Sequence, residues 1–278
     1  MHNAFIPRLM ILFSTVFVLQ SCVDDAKKAA MILEQAENVQ VTAKDIDIAD
    51  DAQSTDPALQ SHFKVSYPEI NEVLPAAVAD SIERIIASFI AGSEEPVNKL
   101  PDVNQLARDF FAQRAEVAAE FDNEVPWTMD RKVSVAGKLG NLLSLELMES
   151  SYMGGAHPNS FFIYKVIDLS TGQVVKLYDL LDRTKKPTLD RLRLEQLEAD
   201  KLVPEAEADW KSYFFEDSFL PDGSFYKNDN FRVGPEGITF LYNSYEIAAY
   251  AFGLTEVTIP LKTIQPLVRV ESPYLKLF

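Results

Sequence analysis

The side chains most often used for metal binding and acid–base chemistry are scarce in this chain. Cysteine occurs once, at Cys22, and beyond the first 21 residues histidine occurs only at His62 and His157. No H-x-x-x-H or H-E-x-x-H spacing is present, so a zinc site would have to gather carboxylates from afar. No G-x-S-x-G elbow, phosphate-binding P-loop or G-x-G-x-x-G turn occurs either. The 42 Asp and Glu residues supply many carboxylate pairs of the kind glycosidases use, but sequence order does not place them in space. The expectation is a chain with no catalytic centre, no cofactor and no metal.

Two other stretches combine residue types that suit recognition. In the first, Tyr152-Met153-Gly154-Gly155-Ala156-His157-Pro158, the simplest role of the glycines is a tight turn between strands, since glycine reaches positive φ without cost. The functional alternative is a ligand loop in which exposed backbone and His157 meet a partner. His157 itself is either held by a loop hydrogen bond or used in chemistry, and one histidine without partners at metal-site spacing favours the former. In the second stretch, Tyr242, Tyr245 and Tyr250 interleave with Glu246, Ile247 and Ala248 and end at Gly253. Tyrosines give large contact area at low entropy cost. The same residues also suit a half-buried strand leading into a turn, and the alternation at Ile238, Phe240 and Tyr242 demands one inward face. The candidate partner-binding residues are therefore Tyr152, Gly154, Gly155, His157, Tyr245, Glu246, Tyr250 and Gly253.

The start of the chain carries an export signal. Arg8 precedes Leu9–Leu19, an apolar run of 11 residues, short of the roughly 20 that a spanning helix needs. Leu19-Gln20-Ser21-Cys22 resembles a lipobox, with Gln20 a looser fit. Acylation of Cys22 explains why one unpaired cysteine persists in an oxidising compartment. The expectation is a lipoprotein cut before Cys22 and held by its acyl chains at a bacterial membrane, on the periplasmic side or at the cell surface.

The net charge of −16 repels phosphate backbones and anionic lipid heads, which argues against nucleic acid as a partner. It attracts cationic proteins and speeds their encounter. Solubility alone is the simpler role of such a surface.

These candidate residues need elements to position them. Residues 23–38 are polar and Ala-rich and suit a tether. Residues 39–48 and 62–70 alternate as strands. Pro75 opens a helix with Val78, Ile82, Ile85, Ile86 and Phe89 on one face, closed by Gly92 and Pro96. A second helix begins at Pro101-Asp102 with Val103, Leu106, Phe110, Val117 and Phe121. Strands follow at 132–138, 143–149 and 161–169, with a hairpin through Ser170–Gln173 to 174–177. Residues 187–202 form a charged helix whose leucines keep no narrow stripe. Strands return at 231–233, 238–242 and 256–259. Strands and helices come in blocks, which predicts an α+β fold with antiparallel sheets and packed helices in two consecutive α/β sandwich-like subdomains.

Two motif regions carry a resemblance. Tyr152–Pro158, then Asp168-Leu169-Ser170-Thr171-Gly172-Gln173 and Leu177-Tyr178-Asp179-Leu180-Leu181, resemble the N-terminal, non-catalytic domain of PdaC-type peptidoglycan deacetylases. Asn230-Phe231, Gly237–Gly253 and Glu256–Pro260 are similar to the C-terminal domain of RsiV-type anti-sigma factors, whose extracellular part binds lysozyme. Behind the signal peptide at 1–21 and a tether at 22–38, the resemblance implies a PdaC N-terminal-type domain at 39–182 and an RsiV C-terminal-type domain at 183–278. RsiV-type proteins carry a transmembrane helix and a sigma-binding segment, and no counterpart of either is seen here. Lysozyme contact would then mean inhibition or capture. The expected function is a lipid-anchored envelope binding module for lysozyme, another cationic protein or a cell-wall ligand. A structural scaffold and, behind it, a peptidoglycan-modifying hydrolase are the alternatives.

Overall fold

The computed structural model describes residues 41–51, 54–56, 59–70, 74–121, 124–200, 214–218 and 228–278. Cys22 and the segment 22–38 lie outside the described residues, as does the end of the predicted helix 187–202. Six strands form one sheet in sequence order: β1 (Val41–Ala49), β2 (His62–Ile70), β3 (Thr128–Leu139), β4 (Leu142–Tyr152), β5 (Asn159–Asp168) and the short β6 (Val174–Val175). Between β2 and β3 come helices α1 (Ala76–Ala91) and α2 (Val103–Phe121). After β6 follow α3 (Leu177–Leu180) and α4 (Lys186–Ala199), then a second sheet of β7 (Phe231–Gly234), β8 (Gly237–Tyr242) and β9 (Thr255–Pro260), and α5 (Leu261–Ile264).

The architecture is α+β, with two consecutive domains, and it corrects the expected sheet in one respect. All neighbours pair antiparallel except β2 and β3, which run parallel with His62 opposite Thr128. A parallel pair needs a long crossover, and the two helices between these strands supply it.

Side-chain alternation divides the large sheet between two cores. On the helix face Phe63, Val65, Leu145 and Leu147 pack against Ile82, Ile86 and Phe110. On the other face Leu142, Val166 and Val175 pack with Phe240, Tyr242 and Ile259 of the small sheet. The two domains thus share one core. Fully burying a side chain such as Phe240 contributes roughly 1.5–3 kcal/mol, so this shared layer binds the domains together strongly. The charged helix α4 covers the small sheet with Leu189 and Leu197 buried, and it also buries Asp190 and Arg193.

The motif Asp168–Leu181 ties the first sheet to the C-terminal segment. Asp168, 5% exposed, accepts from Asn141 Nδ2 at 2.7 Å, from Ser170 N at 2.7 Å and from the Tyr274 hydroxyl at 2.9 Å. Gly172 has φ +74° and lies against α1 at Ala77 and Val78, where a Cβ would come within 3.0 Å of the Ala77 carbonyl. Ser81 of α1 donates to the Gly172 carbonyl. Beyond this turn, Leu177, Leu180 and Leu181 are buried, and Leu181 bridges Val268 in the C-terminal segment.

Candidate functional site

β4 and β5 are joined by the glycine-bearing loop 153–158. Gly154 takes φ 81°, which favours glycine, whereas a Cβ at Gly155 would meet nothing within 4 Å. Tyr152 braces the loop by donating its hydroxyl to the Gly155 carbonyl at 3.2 Å. This loop presents His157, which is exposed.

The second domain brings its tyrosine segment to the same place. The ring of Tyr250 stacks on His157 with centroids 3.8 Å apart and planes 16° from parallel. The Tyr250 hydroxyl donates to the Pro158 carbonyl at 2.9 Å. His157 Nδ1 lies 2.9 Å from that same carbonyl. A carbonyl only accepts, so Nδ1 carries the proton and Nε2 keeps its lone pair in the neutral ring. The Tyr245 hydroxyl, 3.3 Å from Nε2, is then the donor. Tyr245 is 54% exposed and is the only non-glycine residue with positive φ among the described residues, at 67°. Met153, Phe252 and Leu254, in the same two segments of chain, are exposed as well.

An asparagine latch holds this aromatic platform in place. β5 is paired by β4 along its length but by β6 only at Val166 and Ile167. Its outer edge at Phe162–Tyr164 would otherwise lack partners. Asn243 accepts from Phe162 N at 2.7 Å and donates to Phe162 O at 3.0 Å. Asn230 accepts from Tyr164 N at 2.7 Å and donates to the same Phe162 carbonyl at 2.9 Å. Two amide side chains stand where a neighbouring strand would stand. Glu246 sets the turn behind them, accepting from Asn243 N and from Asn228 Nδ2, each at 2.7 Å.

The candidate residues therefore divide. His157, Tyr245 and Tyr250 form one surface built from both domains. Tyr152 and Gly154 shape its loop, and Gly253, with φ 67°, ends the tyrosine segment. Glu246 is an internal brace, and Gly155 has no steric requirement. The tyrosines also divide by burial: Tyr242 is fully buried, while Tyr245 is exposed. Asn230 and Asn243, which sequence reasoning did not select, tie the domains together. Their only signal was their place inside the second motif.

Beside the platform lies a cleft of about 480 Å³ whose walls include Tyr164, Asn228, Ser244, Tyr245 and Glu246. Among the described residues, neither ring nitrogen of His157 meets a carboxylate. His62 sits elsewhere, 2.8 Å from Asp47 Oδ1 across the β1–β2 pair. Among the described residues no group of three His, Cys, Asp or Glu is placed to hold a metal ion. A polar seam runs between the sheets, where the Tyr164 hydroxyl donates to Glu256 Oε1 at 2.6 Å. Burial, then Glu256 and Glu146, push that hydroxyl well above its ordinary range.

These features define a two-domain α+β protein with an aromatic surface composed at the domain junction. Residues 53–160 match the family model described as "Deacetylase PdaC", and residues 178–262 match "Protein of unknown function (DUF3298)". The chain carries a PdaC domain followed by a DUF3298 domain. Among solved structures it is similar to a DUF3298 family member from Bacteroides fragilis, with 20% identity and a TM-score of 0.67, covering 86% of this chain and 97% of that one. A DUF3298 family protein from Pseudomonas aeruginosa matches with 16% identity and a TM-score of 0.59, covering 85% and 96%. Both likenesses show the fold. No curated protein matches the chain.

Proposed function

We propose that this protein is a recognition module of the bacterial envelope, anchored by lipid at Cys22, that binds a protein or cell-wall ligand through the His157–Tyr245–Tyr250 platform. The observation that carries this reading is the meeting of the loop 153–158 with the segment 245–253, which gives an exposed aromatic surface that neither domain has alone. Exposed tyrosines supply contact area, and their hydroxyls supply directional bonds. The ring contacts fix His157 as a part of that surface. Its Nδ1 is held by the Pro158 carbonyl and its Nε2 faces the Tyr245 hydroxyl, an arrangement that favours binding over acid–base catalysis. The net charge of −16 suits a cationic partner, and the resemblance at 230–260 makes a lysozyme-type muramidase the first candidate.

The test is binding of the soluble chain from residue 23 onward to lysozyme, measured across ionic strength. Saturable binding that weakens with salt is expected, reduced at least tenfold in a Tyr245→Ala, Tyr250→Ala double variant that still melts cooperatively. Absence of saturable binding at low salt removes lysozyme as the partner. Hydrolysis of peptidoglycan by the same fragment, lost in His157→Ala, overturns the binding reading altogether. In cells, Cys22→Ala should move the protein out of the membrane fraction; an unchanged distribution overturns the anchor.

A further inference from the structure

A second cleft, larger than the first, adjoins it along β5 and shares Phe161, Ile163 and Lys165 with it. It has a volume of about 680 Å³ and is walled by α1 and floored by β4 and β5. Helices α1 and α2 pack mainly over β2 and β3, and their cover thins toward β5 and β6. Ile85, Phe89, Leu147 and Ile163 line its middle, and Phe161 and Val174 are 48% and 42% exposed. Apolar surface of this kind on both a helix and a sheet needs an occupant.

The charges along the cleft are polarised. Ser81 of α1 bonds to the turn that leads into β6, so Arg84 shares that end with Lys165 and Val174. At the other end Gly92 contacts Arg131, Arg131 pairs with Glu149 at 2.8 Å, and Glu149 stands opposite Phe161 in the sheet. Glu94 lines the cleft as well and, lying just beyond Gly92 in the chain, belongs to this second end. Arg84 and Lys165 make no ion pair among the described residues, in a chain of net charge −16. From Lys165 to Phe161 the strand advances roughly 13 Å, and α1 advances about 12 Å from Arg84 to Gly92.

The hydroxyls in the wall are already engaged. Ser81 donates to Gly172, Ser88 accepts from Val97 N, and Ser93 bonds with Glu95. An extended peptide would leave its backbone groups unsatisfied against such a wall, whereas a hydrocarbon chain makes no such demand. We infer that this cleft is a binding site for a medium-chain anionic amphiphile, a linear alkyl tail ending in a carboxylate, with the head at Arg84 and Lys165 and the tail over Phe89, Leu147 and Ile163 toward Phe161.

The test uses dodecanoate, held below its micellar concentration, titrated into the chain from residue 23 onward. Dodecylamine carries the same tail with the opposite charge. One saturable dodecanoate site is expected, with at least tenfold weaker binding of dodecylamine. An Arg84→Glu, Lys165→Glu double variant should reverse that preference. Phe161→Asp, at an exposed position that leaves the core intact, should weaken dodecanoate at least tenfold. Equal binding of both amphiphiles, or no saturable site, overturns the inference. So does sedimentation as a dimer that Phe161→Asp dissociates, because a second copy would then cover the cleft.

Discussion

Removing the asparagine latch should loosen the junction on which the aromatic platform stands. Asn243 is 7% exposed, and its amide satisfies both the N–H and the C=O of Phe162. In Asn243→Ala the N–H loses the Asn243 acceptor, while the carbonyl keeps Asn230 Nδ2 at 2.9 Å. An orphaned buried donor costs about 1–3 kcal/mol, and the second bond adds about 0.5–1 kcal/mol. Phe162 is only half-buried, so water replaces part of the loss, and the expected destabilisation is about 2 kcal/mol. Asn230→Ala should cost a similar amount through Tyr164 N. Both amides serve the Phe162 carbonyl, so only the double variant strips it completely. A coupling of about 0.5–1 kcal/mol beyond additivity is therefore expected. Urea unfolding of the four proteins gives these differences from midpoints at constant slope. Single variants within 0.5 kcal/mol of the parent by that standard, or a strictly additive double, would refute the latch.

Three further outcomes follow from other sites. Tyr245→Gly relieves a φ of 67° that costs a side-chain-bearing residue roughly 1 kcal/mol, so stability should hold or rise while ligand binding falls; a loss above about 1 kcal/mol would make Tyr245 a structural residue. Tyr274→Phe leaves a buried Asp168 oxygen without its 2.9 Å donor and should cost about 2 kcal/mol in urea unfolding; a neutral result removes Asp168 as the tie to the C-terminal segment. Tyr242 is pushed up to about 12, first by burial, with Arg193 opposing and Glu246 adding to the rise. A raised folded value means that its stabilisation is complete below the ordinary ~10 and is lost, up to roughly 3 kcal/mol, as pH climbs toward the folded value. Tyr242→Phe should flatten that alkaline slope; parallel slopes in parent and variant would refute the assignment.

The elements were legible because their patterns are local. The stripe Val78-Ile82-Ile86 marks α1, and the capping Gly92, with φ 64°, marks its end. Topology was less legible. Nothing in the alternation of 62–70 and 132–138 distinguishes a parallel from an antiparallel neighbour, because both present one apolar face. The same stripe also overstated the core: Ile85 and Phe89 share it with Ile82, yet they line an open cleft. Sequence periodicity records that a face is apolar, not what covers it. In α4 the broken leucine pattern correctly signalled mixed burial, but it hid Arg193, which lies over the Phe240 ring at 3.4 Å. The meeting of His157 with Tyr250 depends on contacts 93 residues apart in the chain, beyond any local pattern.

The two motifs mix residues of two kinds, and the distinction bears on what the surface is for. Asp168, Asn230, Asn243 and Glu246 direct their polar atoms to backbone groups within the junction. Substituting them should cost stability. Tyr245 makes one long hydrogen bond, at 3.3 Å, to an exposed histidine, and it occupies a backbone conformation that glycine or asparagine adopts at lower cost. Folding alone gives no reason for a tyrosine there. Strain held at an exposed aromatic position is the pattern expected where a side chain must be presented outward at a fixed angle. The neighbouring ring of Tyr250 shows how the angle is kept: its hydroxyl and His157 Nδ1 converge on the single carbonyl of Pro158. A junction braced from behind by amides and from the side by this shared acceptor leaves Tyr245 as the part of the motif most free to meet a ligand.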